Sequence, residues 1–186
     1  MEATVGLEIA AAELGVETRF AAFVEAHRDR ALRVAWRLLG GDGAAAEDVV
    51  QDAFVRAWLA LGRFRGDASL ATWLYRILLR QAANHRRWRR LRERWGGLGT
   101  PDAAHPEPPA TGDPALRQRI ARALDALSRA QRECFVMVHL EGFTIAECAE
   151  VLGKAEGTVK SHLHRALASL RRELGDLADE REGARR

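Results

Sequence analysis

All five prolines of this 186-residue chain fall between Gly96 and Pro114, in GGLGTPDAAHPEPPATGDP. Proline fixes φ and donates no backbone hydrogen bond, so neither a helix interior nor a central strand passes through such a stretch. Nothing in it is periodic, and the segment is read as a flexible linker and a domain boundary. The expectation is two units, one on each side. At about 3.3 Å per residue its 19 residues reach roughly 60 Å, comparable to about 18 base pairs of duplex at about 3.4 Å each.

Both flanks carry helical spacing, and the predicted class is all-α. Phe20, Phe23, Val24, His27, Ala31, Val34, Ala35 and Leu38 share one face, with His27 as a packed histidine, before Gly40, Gly41 and Gly43 end the helix. A second helix, roughly Ala44 to Leu61, has Val50, Phe54, Ala57, Trp58 and Leu61 on its core side. Asp67 or Ser69 caps a third helix, through Arg94, whose apolar face is Leu70, Leu74, Ile77, Leu78 and Trp88. Beyond the linker, Asp113 caps a helix that starts on Pro114, with Leu116, Ile120, Leu124 and Leu127 as its core stripe. Ser128 with Gln131 forms a capping box opening a helix through about Leu140, closed by Gly142. Thr144 with Glu147 forms another, for a short helix ending at Gly153. Thr158 then caps a last helix with Val159, Leu163, Ala166, Leu167, Leu170 and Leu174 inward. The expected plan is two small helical domains, residues 18–95 and 115–174. They follow an extension, 1–17, that is partly helical, are joined by the linker 96–114, and end in a polar tail, 175–186.

Three surfaces carry chemistry. On the third helix Trp73, Arg76, Arg80, Asn84 and Arg87 lie on one narrow stripe, followed by Arg89, Arg90, Arg92 and Arg94. Guanidinium groups fit phosphate, and an exposed ring gives an unpaired base something to stack on, so the stripe suits a nucleic-acid strand. A solvated charged face with a core tryptophan at its edge would use the same residues. On the second helix Asp48, Gln51, Asp52, Val55 and Leu59 sit opposite the core side. An acidic first turn complementing the helix dipole explains Glu47 and Asp48 but not Val55 and Leu59, and the mixture suits a protein contact. The third surface lies between Thr144 and Leu170, where two capped helices with a glycine turn fit a helix-turn-helix. Ala149 permits close crossing, and Val159 pins the second helix. Lys160, Ser161, His162, His164 and Arg165 are left for solvent or for base edges in a major groove. A helical hairpin with a basic outer face is the alternative.

Charge supports a polyanion partner. Net charge is only +3, with 29 Lys and Arg against 26 Asp and Glu, yet the pI is about 9.4 and the positive residues are clustered, which marks a defined site rather than general adhesion. No apolar run approaches membrane-spanning length, and the acidic start MEATVGLEIAAAELGVE lacks the basic opening of a secretory signal. Cys134 and Cys148, the two cysteines, make no disulfide framework. Together these features place the protein in the cytoplasm without membrane insertion.

The segments AEDVVQDAFVRAW, FRGDASLATWLYRILLRQAANHRRWRR and QRECFVMVHLEGFTIAECAEVLGKAEGTVKSHLHRALASLRREL make the chain recognisable. It resembles an extracytoplasmic-function (ECF) sigma factor of bacterial RNA polymerase, over nearly everything from Phe20 to Leu174 except the linker. The resemblance implies a sigma region 2 helical bundle and a sigma region 4 helix-turn-helix, no enzymatic activity and no cofactor. It implies that Asp48, Gln51 and Asp52 dock on the β′ clamp helices of the polymerase core and that region 4 meets the β flap. By the same resemblance, the loop Arg63 to Asp67, with Phe64 and Arg65, captures an extruded base of the −10 promoter element. Trp73, Tyr75, Arg76, Arg80, Asn84 and Arg87 melt and follow that element, while Thr158 to Arg165 read the −35 element. An anti-sigma protein is the implied regulator. Stacking and arginine contacts reward unstacked bases with about 1–3 kcal/mol each, which makes strand opening feasible. Ser128 stands where the family commonly has proline, His162 where it commonly has arginine, and Cys148 where isoleucine is usual.

Three other functions use parts of the same chain. A transcription repressor or activator would need only the helix-turn-helix and would leave the Trp73–Arg87 stripe and the Asp48–Leu59 face without a role. A nuclease would use Glu47, Asp48 and Asp52 as metal ligands, but no histidine or further acidic cluster completes that site. Metal or redox sensing would join Cys134, Cys148 and His139, whose spacing fits no zinc motif; two core thiols and a surface histidine are the simpler account.

Overall fold

The computed structural model describes residues 2–95 and 114–175. The regular structure among them is helical: α1 (Glu2–Leu38), α2 (Gly43–Ala60), α3 (Leu70–Arg94), α4 (Pro114–Ala126), α5 (Arg129–Phe135), α6 (Ile145–Leu152) and α7 (Glu156–Leu174). A 3₁₀ turn, Leu61–Arg63, follows α2, and a π-helical turn, Val136–Leu140, continues α5. No helix among the described residues is long and apolar enough to cross a membrane.

Local chemistry sets most of the boundaries. Two left-handed glycines, Gly40 (φ 76°) and Gly41 (φ 92°), reverse the chain after α1, and the Gly41 amide donates back to the Trp36 carbonyl at 2.9 Å. Asp42 caps α2 by accepting from the Ala45 amide. Of the two candidate caps for α3, Ser69 is the one used, its hydroxyl accepting from the Thr72 amide at 3.0 Å. Both capping boxes, Ser128–Gln131 and Thr144–Glu147, are formed with both of their hydrogen bonds. Gly153 ends α6 at φ 61°.

Residues 2–17 are helical, the first turns of a single 37-residue helix. Other expectations are corrected. Thr158 does not cap α7, which begins two residues earlier with Ala155 at its N-cap and no side-chain bond there. The α5 helix does not run regularly to Leu140; from Val136 the hydrogen bonds lengthen to a five-residue step, as in Glu141 to Val136. Trp88 is 63% exposed and Ile120 is 41% exposed, so neither belongs to a core stripe. The expected cap Asp113, the linker from Gly96 and the tail beyond Gly175 lie outside the described residues.

Helices α1, α2 and α3 pack on one another around Val34, Leu39, Phe54, Leu74 and Leu78. Helices α4 to α6 pack on α7, where Ala123, Leu124, Leu127, Ala166 and Leu170 form a second cluster. The two lobes also touch each other, α6 lying on α3 and the π-helical turn on α1. Their cores are continuous, because Val136, Met137 and Phe143 join the same buried cluster as Leu74 and Tyr75.

Candidate nucleic-acid interface

On α2 the buried positions Ala46, Val49, Val50, Ala53, Phe54 and Ala57 face α1 and α3. Asp48, Gln51, Asp52, Val55 and Leu59 all remain exposed on the other side. Leu59 is 76% exposed and Val55 49%, and Asp52 holds only a loose 3.9 Å pair with Arg56. Such a helix keeps acid and aliphatic groups in water together, the composition of a surface that meets a partner. The helical period puts Trp58 on the core side. Its ring leans on Phe20 (5.1 Å between centroids) yet is 37% exposed, and it extends the apolar patch beside Leu59.

The loop before α3 carries Arg63 and Arg65 exposed, with Gly66 at φ 75° making the bend. Phe64 is half-buried against Trp73, centroids 5.3 Å apart, so the two rings form one aromatic ledge at the start of α3. Arg76, Arg80, Asn84 and Arg87 follow along the helix, all exposed, on a single line below that ledge. The ledge offers stacking and the line offers phosphate contacts, side by side.

Tyr75 does not join them. It is 2% exposed, packed edge-on against Phe143 at 4.9 Å and with His27 beyond, and burial pushes its hydroxyl up to about 12. Its hydroxyl has no hydrogen-bond partner among the described residues. In this arrangement it cannot touch a nucleic acid. The reason is long-range: Phe143 comes from the other lobe, 68 positions along the chain.

Helix α7 turns Val159, Leu163, Ala166 and Leu170 inward, which leaves Thr158, Lys160, Ser161, His164 and Arg165 exposed. His162 is half-buried, its Nδ1 covered and without a partner among the described residues. Lys160 is only 3.9 Å from Glu156, an exposed pair that a phosphate would readily replace. The outer face of α7 is thus a row of small and basic groups above a rigid apolar floor, the form of a helix that enters a groove.

Sequence reasoning passed over two arginines that hold these surfaces in place. Arg132, its side chain 4% exposed, donates to the carbonyls of Leu124 (2.6 Å), Asp125 (2.8 Å) and Leu127 (3.0 Å), tying α5 to the end of α4; burial lowers it to about 10. Arg86, in the middle of the basic run, is buried, donates to the Leu38 carbonyl at 2.6 Å and pairs with Asp125 at 2.8 Å. Nothing in the run of arginines distinguishes it from its exposed neighbours. Cys134 and Cys148 are both fully buried free thiols, whereas His139 is exposed beside Phe135. No group of three or more His, Cys, Asp or Glu among the described residues is placed to hold a metal ion.

Comparison with known proteins matches both lobes. Residues 23–92 fit the family model described as Sigma-70 region 2, and residues 117–170 the one described as Sigma-70, region 4. The ECF RNA polymerase sigma factor SigL of Mycobacterium tuberculosis is 37% identical over 171 residues, covering 88% of this chain and 95% of that protein. Among solved structures, CnrH in complex with the cytosolic domain of CnrY is similar at a TM-score of 0.67 and 29% identity, over 90% of this chain and 94% of CnrH. The sigma factor RpoE of Bartonella quintana, in complex with the anti-sigma factor NepR, is similar at 0.62 and 30% identity, over 83% of this chain and 97% of that one.

Proposed function

Since the chain belongs to the ECF sigma factors, which bind RNA polymerase core and direct it to promoters, we propose that three helices divide the work. The α2 face of Asp48, Gln51, Asp52, Val55 and Leu59 docks on the β′ clamp helices of the core. The Arg63–Arg65 loop with the Trp73–Arg87 stripe takes the melted −10 element, and Thr158 to Arg165 of α7 read the −35 element. Residues 18–95 and 115–174 act as the two domains, with 96–114 as the tether that lets them grip separated segments and region 4 resting on the β flap.

The observation that carries this assignment is the exposure pattern of α2. A helix buried at seven positions keeps two large aliphatics and two carboxylates on its opposite face. The partner that fits is a protein with both basic and apolar groups. The Phe64–Trp73 ledge supports the second assignment, because stacking platforms beside arginines bind unpaired bases with little regard to sequence. A sigma factor works where polymerase works, in the cytoplasm. RpoE of Bartonella quintana was captured with an anti-sigma factor, and a protein inhibitor of the same kind is proposed for this chain.

The test is Asp48→Arg combined with Asp52→Arg. Both side chains are exposed, so helical content by circular dichroism stays unchanged while binding to purified core polymerase and run-off transcription are lost. Unchanged core binding would move the docking face elsewhere.

A further inference from the structure

We propose that the cleft between α3 and the corner joining α4 to α5 is a binding site for a small polyphosphate, three or more linked phosphates either free or carried on a nucleoside. Binding there goes beyond promoter recognition and needs neither polymerase nor DNA.

The cleft has a volume of about 970 Å³, at the upper end of the roughly 300–1,000 Å³ usual for small-molecule sites. Its two walls belong to different lobes, and two clamps fix them. At one, Arg86 of α3 pairs with Asp125 of α4 at 2.8 Å. At the other, the Glu141 carboxylate accepts from Arg37 Nε at 2.7 Å and from Arg33 Nε at 3.2 Å, and the Glu141 carbonyl accepts from Arg30 Nη2 at 2.7 Å. Leu38, Leu91 and Leu127 supply apolar surface to the cleft.

Charge marks the site. Arg86, Arg87, Arg90, Arg94, Arg129 and Arg132 line it, against one lining carboxylate, Glu133. With Asp125 included, six guanidinium groups face two carboxylates, an excess of four positive charges. Burial lowers the Arg132 guanidinium, and Arg86, Arg90 and Arg89 add to that effect while Asp125 opposes it. Two of the six are committed to the protein, since Arg86 and Arg132 donate to backbone carbonyls. The Arg129 Nε donates to Glu133 at 2.7 Å, and its terminal nitrogens have no bond among the described residues. Arg87, Arg90 and Arg94 are exposed and have no acidic partner among the described residues.

Like charges lining a cleft focus a positive potential, and the guanidinium fork matches phosphate oxygens. Arg87, Arg90 and Arg94 recur at intervals of three and four, along about 10 Å of one side of α3. A single phosphate reaches one or two of these groups. A linked chain reaches all three, and Arg129 across the cleft. The second wall is what favours a small ligand, because a strand laid along α3 alone has no use for Arg129. Asn84 and Arg87 also belong to the proposed −10 stripe, so the variants that test the site are made elsewhere.

The full-length chain is dialysed to equilibrium against sodium tripolyphosphate, GTP or orthophosphate at about 0.15 M salt. One tripolyphosphate or one GTP is expected per chain, with orthophosphate at least about tenfold weaker. Arg90→Gln on one wall and Arg129→Gln on the other are each expected to weaken tripolyphosphate about tenfold, the loss of one charge-assisted contact. Arg28→Gln removes the same charge from an exposed position of α1 outside the cleft and is expected to change affinity less than about twofold. If Arg129→Gln loses helical content, Arg129→Lys, which keeps a cation beside Glu133 but lacks the fork, is read in its place. Equal affinity for tripolyphosphate and GTP supports the phosphate chain as the ligand, and tighter GTP supports a nucleoside seated on the leucines as well. No retention of either probe at about 1 mM, or several equivalents per chain, overturns the proposal. So does equal weakening by Arg28→Gln, or a folded Arg129 variant that binds like the parent.

Discussion

Leu59→Ala is expected to weaken binding to core polymerase by about 1–2 kcal/mol. Burying a leucine side chain fully is worth about 1.5–3 kcal/mol relative to leaving it in water. In the free chain Leu59 is 76% exposed, so a partner that covers it recovers roughly three quarters of that sum, and alanine retains little of it. At 1.4 kcal/mol per factor of ten the dissociation constant rises about 5- to 30-fold. Val55, smaller and 49% exposed, is expected to lose less, about 1 kcal/mol or below. Neither change disturbs the fold, because substitutions at such exposed positions stay within about 0.5 kcal/mol of the parent stability. Fluorescence anisotropy of the labelled chain titrated with core measures both variants under one condition. A change of less than twofold for Leu59→Ala, or a larger loss for Val55→Ala than for Leu59→Ala, would show that α2 does not dock by its apolar outer edge.

Two further outcomes follow from the described contacts. Trp73→Ala removes half of the ledge that Phe64 completes and is expected to impair open-complex formation more than duplex binding, by about 1–3 kcal/mol per lost stacking contact; permanganate reactivity of thymines near the start site reads it, and equal loss in both assays contradicts it. Arg132→Met keeps the apolar bulk but removes the three hydrogen bonds that the guanidinium donates to carbonyls; it is expected to lower the stability of the second lobe by about 3 kcal/mol in urea unfolding followed by circular dichroism, and an unchanged midpoint contradicts it.

The elements readable in advance were those fixed within a few residues. Ser69, Ser128 with Gln131, Thr144 with Glu147, and Gly153 act through bonds spanning three or four positions, so the sequence displays cause and effect together. The outer face of α2 was equally readable, because period and composition disagree there: residues too apolar for water recur on the side turned away from the core. Where the reading failed, the deciding partner was distant. Trp88 keeps the period of the α3 core face but is exposed, because period does not say where the neighbouring helices stop. The burial of Tyr75 is of the same kind, since the ring that covers it in this arrangement, Phe143, comes from the other lobe. Arg86 is one of a run of arginines, and only the position of Asp125 and the end of α1 singles it out. The Glu141 contacts span 104 to 111 positions in a turn with no periodicity, so no local pattern announces them.

The wide turn at Val136–Leu140 lets this stretch carry one residue more than a regular helix would. The Glu141 amide donates to the carbonyl five positions back, so it stands where the fourth residue of an α-helical turn would stand. Deleting one residue there would let α5 continue regularly and leave Glu141 near its present azimuth, facing the α1 arginines. Inserting one would turn it away from them by about 100°. The helix would absorb a loss at this place, while an addition would cut the mechanical link between the two halves of the molecule.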